Sequence, residues 1–534
     1  MHNKRSSYNS KHRTPHMLMQ QMIEFNALNN PASTALLAGD EVLSYAAFDQ
    51  HCNQLANGLR ALGLQAGERV AVLAKNSPRY PMLMVACMKA ELTLVPLNYR
   101  LAPQELKFIL EDCGASMLVT GDAELRAAAD ASTATGNIAH CYTLEGTRPG
   151  WQDFATLLNA PCERPAHSGR RDGVVFQLYT SGTTGLPKGV MIGHEQLTNG
   201  YVMSNHIPPR CQIGHTGIMP LPLFHVAGLA AALFWLCSGY KVQLMADFVP
   251  QEIVDAIVAS DSCDSVLVPA MIQAILAFVP DIQRYDFSPL QRITYGASPI
   301  SIEVLQQAIG IFKCDFVQGY GMTELSCMVL GLQASDHQRA LNGEAHLLRS
   351  CGRPLPGAEL KVVDDNGIEV ASGETGELLI RSSTAMMGYW NQPDKTSETL
   401  VDGWLRTGDA GYADDEGFFY IRDRVKDMIV SGGENIYPAE IENVLFSHPG
   451  IQDVAVIAVP DDKFGEAALA VCVLKPDATA TSAELIAFCQ ERLASYKTPR
   501  RYEFVQEIPR NPSGKILKRV MREPYWQNTE RRVG

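Results

Sequence analysis

The most constraining feature of this sequence is a glycine-rich loop that directly follows an apolar run. Residues 179–190 read Y-T-S-G-T-T-G-L-P-K-G-V, and residues 174–178 are typical of a buried strand. Glycines let backbone N–H groups converge on one point, and such a nest binds anions. The loop hydroxyls and Lys188 add donors and a positive charge. The stretch therefore predicts a cradle for nucleotide phosphates, against the alternative of a solvated hairpin turn.

The loop does not follow the common phosphate-binding patterns. A Walker A loop needs Gly-Lys followed by Ser or Thr, whereas here Pro187 precedes Lys188 and Gly189 follows it. The glycine spacings of kinases and of Rossmann folds do not match either. S-G-T-T-G-L-P-K-G instead resembles the phosphate loop of the adenylate-forming superfamily, which includes acyl- and aryl-CoA synthetases, peptide-synthetase adenylation domains and luciferases.

Length and composition indicate a soluble enzyme of more than one domain. The 534 residues exceed a single core, and 46% apolar with 19% charged residues exclude a disordered chain. A net charge of −13 argues against a general nucleic-acid binder. No apolar run approaches the ~20 residues that span a bilayer. The 13 cysteines lack any C-x-x-C pair, which predicts reduced thiols, a cytoplasmic location and no zinc site.

Hydrophobic patterning predicts an α/β fold with a large N-terminal domain, a β-rich subdomain after residue 352 and a small α+β C-terminal domain. We predict a flexible basic tail over 1–17, and the resemblance implies an AMP-binding domain over 18–422, a hinge at 423–426 and a mobile C-terminal domain over 427–534. Residues 129–170 are interpreted as surface connection. Helices are predicted over 44–64, 80–92, 103–113 and 483–493, and strands over 70–73 and near residues 118, 242, 266 and 293.

Seven further segments follow the superfamily's order between residues 90 and 519, and the resemblance implies a role for each. The weakest, A-E-L-T-L-V-P-L-N-Y-R, departs from the family at Glu91, where glycine is usual. Y-G-A-S-P-I (295–300) and Q-G-Y-G-M-T-E (318–324) imply an adenine site, with Thr323 on the α-phosphate and Glu324 on Mg²⁺, which prefers oxygen ligands. The alternative for the first is a strand-to-helix turn capped by Ser298, with Pro299 at the first helical position.

The remaining segments concern the ribose, the acid and the thiol. The resemblance places Asp409, at the end of G-W-L-R-T-G-D, on the ribose, and makes Arg424 a ribose or phosphate contact. It makes Lys426 the hinge and places Lys515, in P-R-N-P-S-G-K, in the active site as a catalytic lysine. His225, in L-P-L-F-H-V-A-G, is a neighbour of the acyl carboxylate by resemblance, or a satisfied core histidine.

The residues that the resemblance assigns can be grouped by ligand. The candidate catalytic residues are Lys515, Thr323 and Lys188, the acyl pocket contains His225, and the path for the pantetheine arm of CoA runs past Gly432 and Gly433. The candidate nucleotide contacts are Thr180, Ser181, Gly182, Thr183, Thr184, Gly185, Lys188, Gly296, Ala297, Ser298, Gln318, Gly319, Tyr320, Gly321, Met322, Thr323, Asp409, Arg424 and Lys515.

The resemblance implies an acid–thiol ligase that uses ATP, Mg²⁺ and CoA. A carboxylic acid attacks the α-phosphate of ATP, pyrophosphate leaves, and the acyl-adenylate passes its acyl group to CoA. The leading hypothesis is a medium- or long-chain fatty acid, supported by the apolar segment over 223–235. An aryl or short-chain acid, a carrier-protein acceptor and a catalytically silent nucleotide or lipid binder stay open. A peripheral membrane contact and a homodimer stay open as well.

Overall fold

The computed structural model describes residues 17–526 except 137, 168–171, 181–186, 206–212, 299, 432–433, 462, 477 and 511–515. Its helices alternate with strands over the first three hundred residues, which confirms the predicted α/β class. In chain order the helices are α1 (Met19–Asn29), α2 (Tyr45–Ala61), α3 (Arg79–Ala90), α4 (Pro103–Cys113), α5 (Leu125–Thr135), α6 (His194–Ser204), α7 (Val226–Cys237), α8 (Pro250–Val258), α9 (Pro269–Phe278), α10 (Ile302–Phe312), α11 (Ala334–Leu341), α12 (Pro393–Thr399), α13 (Pro438–Phe446), α14 (Ser482–Gln490) and α15 (Lys518–Arg522).

The strands of the described residues form four sheets. In chain order they are β1 (Thr34–Ala38), β2 (Glu41–Ser44), β3 (Arg69–Leu73), β4 (Thr93–Pro96), β5 (Ala115–Thr120), β6 (His140–Thr143), β7 (Gln152–Asp153), β8 (Val174–Thr180), β9 (Lys188–Gly193), β10 (Thr216–Met219), β11 (Lys241–Leu244), β12 (Cys263–Leu267), β13 (Leu290–Gly296), β14 (Asp315–Gly321), β15 (Met328–Leu332), β16 (Arg353–Pro354), β17 (Ala358–Val363), β18 (Gly376–Ser382), β19 (Gly388–Tyr389), β20 (Leu400–Val401), β21 (Trp404–Ala413), β22 (Phe419–Arg424), β23 (Ile429–Ser431), β24 (Glu434–Ile436), β25 (Ile451–Asp461), β26 (Gly465–Leu474) and β27 (Arg501–Phe504).

Two large sheets form the body of the molecule. The first has the order β19-β9-β8-β4-β3-β5-β6-β7, and the second the order β16-β15-β14-β13-β12-β10-β11-β1-β2. Both are largely parallel, with antiparallel strands toward their ends. One buried cluster contains side chains from both sheets and from helices α1, α2, α3 and α7. The two sheets therefore share a core, as expected when helices cover the faces of parallel strands.

Two smaller, mainly antiparallel sheets follow. Strands β17, β18, β20, β21 and β22 form the third sheet, which is the predicted β-rich region. Strands β23–β27 form the fourth, and its buried residues build clusters that contain no side chain before Ile429 among the described residues. The C-terminal part thus has a core of its own. The precise hinge limits at 423–426 stay a prediction.

Several predicted elements differ from the structure in their details. The surface connection expected over 129–170 is wrong in part, because α5 ends there and β6 and β7 extend the first sheet. Trp151 and Phe154 are buried in this region, although the composition is rich in Thr, Pro and Gly. The helix after Y-G-A-S-P-I begins at Ile302 and is capped by Ser301, whose Oγ accepts from the Val304 N–H at 3.2 Å. Ser298 is therefore not the cap, and Pro299 lies outside the described residues.

Candidate active site

Three sheets bring the candidate residues together. The phosphate-loop segment connects β8 to β9 of the first sheet, the segment 318–324 ends β14 of the second, and Asp409 lies on β21 of the third. Loops and strand ends positioned by rigid sheets are where ligand sites of α/β proteins occur. The contacts described below join these sheets to one another.

The two ends of the glycine-rich loop are paired. Thr180 closes β8 and Lys188 opens β9, and the two residues face each other in the antiparallel ladder. The loop residues Ser181, Gly182, Thr183, Thr184 and Gly185 lie outside the described residues, so their role as phosphate donors stays a prediction. The ladder nevertheless fixes where the loop leaves the sheet and where it returns.

A hydrogen-bonded frame supports the base of this loop. The hydroxyl of Tyr179 donates to Asp112 Oδ2 at 2.5 Å, and Gln177 Nε2 donates to that hydroxyl at 2.9 Å. Trp390 donates from Nε1 to the Asp112 carbonyl at 2.8 Å and from its backbone N–H to the Gly189 carbonyl at 2.7 Å. Burial and the bond to Asp112 raise the pKa of Tyr179, so its hydroxyl keeps the proton that it donates. Both strands that carry the loop are therefore anchored.

Glu324 is held by a tyrosine from another sheet. Glu324 is 8% exposed, and its Oε1 accepts a hydrogen bond from the hydroxyl of Tyr389 at 2.9 Å. Tyr389 lies on β19, at the edge of the first sheet, whereas Glu324 follows β14 of the second. The ammonium of Lys188 lies 4.8 Å from the centroid of the Tyr389 ring. Burial and Glu324 raise the pKa of Tyr389, which keeps it a donor to the carboxylate.

The chemistry of Glu324 fits the predicted Mg²⁺ ion. Mg²⁺ is usually held by one or two carboxylates together with substrate phosphates, so a single acid beside a phosphate loop is sufficient. Tyr389 occupies one lone pair of Glu324, and a carboxylate has about four acceptor sites. Within the described ranges, no group of three or more His, Cys, Asp or Glu side chains could hold a metal by itself.

Close backbone contacts shape the predicted adenine site. Gly296, at the end of β13, pairs with Gly319 of β14, and a Cβ on Gly296 would lie 2.1 Å from the Gly319 carbonyl oxygen. Ala297 then takes a left-handed backbone conformation with φ of 67°. A residue other than glycine in this region is strained, and such strain is concentrated at functional sites. Gly296, Ala297 and Ser298 thus form a tight turn beside β14.

The segment 318–324 changes from strand to turn. Gln318, Gly319, Tyr320 and Gly321 lie on β14, Met322 follows, and Thr323 begins a short 3₁₀ turn that contains Glu324. A Cβ on Gly321 would lie 2.2 Å from the Cys327 carbonyl oxygen, so only glycine fits there. The side-chain oxygen of Gln318 is buried and accepts no hydrogen bond within the described part of the chain.

Asp409 is the centre of a buried ion pair with an additional hydroxyl donor. Arg424 Nε lies 2.6 Å from Asp409 Oδ1, and the hydroxyl of Tyr320 donates to Asp409 Oδ2 at 2.5 Å. The side chain of Asp409 is 6% exposed. Burial and then Asp409 raise the pKa of Tyr320, so its hydroxyl stays protonated. The structure therefore joins three of the predicted nucleotide contacts directly, from the second and third sheets.

His225 precedes α7 as its N-cap residue. Its ring lies 4.3 Å from that of Phe224, and its Nε2 is buried and has no hydrogen-bond partner among the described residues. Burial, reinforced by Arg100, lowers the pKa of His225 to about 4. The imidazole is therefore neutral near pH 7, and its orphaned nitrogen distinguishes it from a satisfied core histidine.

A buried asparagine positions the histidine-containing segment. Asn76 Nδ2 donates to the Leu221 carbonyl at 2.9 Å and to the Met245 carbonyl at 3.0 Å. Asn76 Oδ1 accepts from the Leu223 N–H at 2.9 Å. No sequence motif marks this role, because the partners are backbone groups about 150 residues away along the chain.

The C-terminal candidates are only partly described. Lys426 lies in the 3₁₀ turn Val425–Asp427 directly after β22. Burial lowers the pKa of Lys426, although the charge of Asp427 acts in the opposite direction. Gly432, Gly433 and Lys515 lie outside the described residues. Their predicted roles in the CoA path and in catalysis therefore stay predictions.

Comparison with known families agrees with this geometry. The model of the AMP-binding enzyme family matches residues 23–390, and that of the AMP-binding enzyme C-terminal domain matches residues 440–515. The chain belongs to the AMP-binding enzyme family. The predicted resemblance to adenylate-forming enzymes is thereby confirmed. In this AMP-binding enzyme Lys188 and Glu324 lie within the first matched region, whereas Asp409 and Arg424 lie between the two regions.

Similar proteins come from several bacteria. A fatty acid–[acyl-carrier-protein] ligase of Streptomyces coeruleorubidus is 36% identical, over 98% of this chain and 99% of its own. The long-chain-fatty-acid–CoA ligase FadD13 of Mycobacterium tuberculosis is 36% identical, over 91% of this chain and 94% of its own. A feruloyl-CoA synthase of Amycolatopsis is also 36% identical, over 93% of this chain and 96% of its own. The predicted enzyme class, an AMP-forming acid–thiol ligase, is confirmed by the family and these relatives.

Solved structures share the architecture. The amide bond synthetase McbA of Marinactinospora thermotolerans superposes with a TM-score of 0.85 at 28% identity, over 94% of this AMP-binding enzyme and 98% of that chain. The anthranilate CoA ligase AuaEII, solved with anthranoyl-AMP, superposes with a TM-score of 0.87 at 26% identity. The match covers 96% of this chain and 98% of that chain. In the described part of the chain, no helix is long and apolar enough to cross a membrane.

Proposed function

We propose that this AMP-binding enzyme activates a medium- or long-chain fatty acid as its acyl-adenylate and transfers the acyl group to CoA, releasing AMP and pyrophosphate. The observation that carries the proposal is the convergence of the paired loop ends, Glu324 and the Tyr320–Asp409–Arg424 cluster from three sheets. These groups match a nucleotide's phosphates, metal and ribose. The fatty-acid relatives support the choice of acid.

Adenylate formation requires two anions to approach each other. The acid's carboxylate attacks the α-phosphorus of ATP, and the bond to pyrophosphate breaks. In such phosphoryl chemistry the protein mainly positions the groups and neutralises charge. We assign Lys188 and the loop donors to the departing pyrophosphate and Lys515 to the meeting carboxylate and phosphate oxygens. Mg²⁺ at Glu324 would neutralise phosphate charge when bound.

The other site residues hold the nucleotide and the acid. The carboxylate of Asp409 can accept hydrogen bonds from the ribose hydroxyls, because Arg424 and Tyr320 fix its orientation and leave lone pairs open. The turn at Gly296, Ala297 and Ser298 and the ring of Tyr320 would bound the adenine. A neutral His225 at the start of α7 would neighbour the acyl carboxylate as a hydrogen-bonding group and not as a base.

The second step needs a different arrangement of the C-terminal domain. The thiol of CoA attacks the carbonyl of the acyl-adenylate, and AMP leaves. Lys515 is no longer required, whereas Gly432 and Gly433 would let the backbone lie close to the narrow pantetheine arm. Both roles belong to the same small domain, so we propose that it rotates about Lys426 between the two steps, as hinge motions at element ends do.

A carrier-protein acceptor is the second candidate. It is favoured by the Streptomyces relative, which this chain matches over 98% of its length. The thiol in that case is the same phosphopantetheine group, attached to a protein instead of an adenosine nucleotide. The chemistry of the first step is identical, so only the acceptor distinguishes the two candidates.

A panel of acids tests both the substrate and the acceptor. The purified enzyme is incubated with ATP, Mg²⁺ and saturated fatty acids of increasing length, ferulic acid, indoleacetic acid or short-chain acids. Free CoA or a phosphopantetheinylated carrier protein is then added. AMP release and the mass of the thioester are measured. We expect fatty acyl-CoA; an aryl thioester, an acyl carrier protein as sole product, or no pyrophosphate with any acid would each contradict the proposal.

A further inference from the structure

Asp423, the penultimate residue of β22, contacts two elements of the C-terminal part of the chain. Its side chain is 7% exposed, and its Oδ2 accepts from the Ala439 N–H at 2.9 Å. The ammonium of Lys518 lies 3.7 Å from the same oxygen. Oδ1 accepts from the Arg424 N–H at 2.7 Å. Asp423 is the first residue of the predicted hinge, and it connects the third sheet to helices α13 and α15.

Helix α13 depends on this acid for its N-terminal cap. Its N-cap residue, Tyr437, makes no side-chain capping bond within the described residues, and Ala439 is the second helical residue. The first N–H groups of a helix have no acceptor inside it, and a carboxylate there also interacts favourably with the helix dipole. Asp423 supplies that acceptor from a different sheet. The stacking of Arg422 on Tyr437, 5.6 Å from the ring centroid, adds a neighbouring contact.

Helix α15 forms ion pairs with α13 and with the turn that follows β22. Lys518 Nζ lies 2.8 Å from Glu442 Oε1, and Arg522 donates to Asp427 Oδ1 at 2.6 Å. Burial would lower the pKa of Lys518, but Glu442 and Asp423 raise it to about 12, so the amine is charged. Helix α15 begins three residues after Lys515, the predicted catalytic lysine. These two ion pairs hold α15 against α13 and against the turn that follows β22.

We propose that Asp423 is a positioning residue that stabilises one of two domain arrangements by bridging the hinge. This inference rests on the proposed two-step function, which requires rotation about Lys426. Asp423 is fixed to the third sheet through the pairing of β22 with β21. Ala439 and Lys518 belong to helices that pack on the fourth sheet. Rotation therefore breaks both contacts, so they favour the arrangement in which they are made.

Two variants in the full-length enzyme test the bridge. Asp423→Ala removes both contacts, whereas Asp423→Asn keeps an acceptor for the Ala439 N–H but loses the charge that faces Lys518. Acyl-AMP formation from dodecanoic acid is measured as pyrophosphate release. Thioester formation is measured separately from supplied dodecanoyl-AMP and CoA. A hydrogen bond to a charged group is strong enough to shift a two-state equilibrium about tenfold, so we expect the ratio of the two rates to change about tenfold in Asp423→Ala.

Asp423→Asn should change that ratio in the same direction and by less, and it keeps the test open if Asp423→Ala does not fold. Glu440→Gln is the matched control, because Glu440 pairs with Lys497 at 2.7 Å within the C-terminal part and does not cross the hinge. It should leave the ratio unchanged. Active Asp423 variants with an unchanged ratio of the two rates, including variants in which both rates fall equally, would contradict the proposed role of Asp423 and leave the proposed function standing. A wild-type enzyme without pyrophosphate release would contradict the proposed function instead.

Discussion

The hydroxyl of Tyr389 and the carboxylate of Glu324 form a hydrogen bond of 2.9 Å that joins the two large sheets. Tyr389 occupies a two-residue strand that pairs with β9, the strand that begins with Lys188. The proposed phosphate loop and the proposed metal ligand are thus held in a fixed relation by one phenol. A carboxylate whose orientation is preset in this way loses little freedom when a ligand binds.

Tyr389→Phe should slow adenylate formation about tenfold, because a hydrogen bond to a charged group is lost while the ring beside Lys188 remains. The Mg²⁺ concentration needed for half-maximal rate should rise. Pyrophosphate release measured over a Mg²⁺ series checks both effects. Tyr525→Phe removes a tyrosine–glutamate hydrogen bond at the exposed surface, to Glu503, and serves as the control. An unchanged Mg²⁺ dependence in Tyr389→Phe would refute the assignment of Glu324 as the Mg²⁺ ligand.

Lys515→Ala should reduce adenylate formation by ~10²–10³, the usual loss when an electrostatic contact to a transition state is removed. Thioester formation from supplied acyl-adenylate should be largely retained, since the charge is needed only in the first step. Single-turnover assays of each half-reaction check this. Lys475→Ala, at an exposed position of the same domain, is the control. Equal damage to both half-reactions would show that the two-arrangement assignment is wrong.

Asp409→Ala should destabilise the protein and abolish ATP binding. Removing one partner of a buried ion pair leaves the other charge uncompensated, which costs about 3–5 kcal/mol of unfolding free energy; the 30% exposure of the Arg424 side chain favours the lower end. Urea unfolding and calorimetric ATP titration measure the two effects. Glu359→Gln breaks an exposed pair with Arg381 on the same sheet and should cost less than about 1 kcal/mol.

His225 should make the protein less stable in acid. Its folded pKa of about 4 lies below the value of about 6.5 in the unfolded chain, so between these values only the unfolded state takes up the proton. Stability is therefore lost as pH falls from 6.5 toward 4, by about 2 kcal/mol at pH 5. Urea unfolding of wild type and His225→Gln at pH 7 and pH 5 measures this loss. An equal loss in both proteins would contradict the shift.

The same shift sets the pH dependence of activity. His225 stays neutral above about pH 5, so its protonation should not affect the rate of adenylate formation near pH 6.5. The pH–rate profiles of the wild type and of His225→Gln should therefore have the same shape in that range. A group with an ordinary histidine pKa would produce an inflection there.

Much of the fold could be predicted from periodicity. The helix expected over 103–113 is found at those residues, and that expected over 44–64 is found as α2, with Ser44 as its cap. Apolar spacing fixes such elements because each covers a large core. Strands β6 and β7 were not predicted, since short strands in polar composition carry little pattern; β6 depends on pairing with β5, and β7 on pairing with β6.

The site could be predicted only where residues cluster along the chain. Asp409, Tyr320 and Arg424 stand in separate motifs, and the structure brings all three into contact. Trp390, Asp112 and Asn76 were not identified, because their partners are distant in sequence and, for Trp390 and Asn76, are backbone groups. A hydrogen bond to a carbonyl leaves no trace in the identity of the residue that supplies it.

The position of β19 has a consequence for how the polypeptide matures on the ribosome. Strand β9 is synthesised about two hundred residues before the strand that completes its edge, since β19 begins at Gly388. Until that segment emerges, the nascent chain exposes an open row of backbone donors and acceptors beside the glycine-rich loop, and such edges recruit other chains. The synthesis of residues 194–388 is therefore the interval in which this edge of the first sheet is open to pairing with other chains.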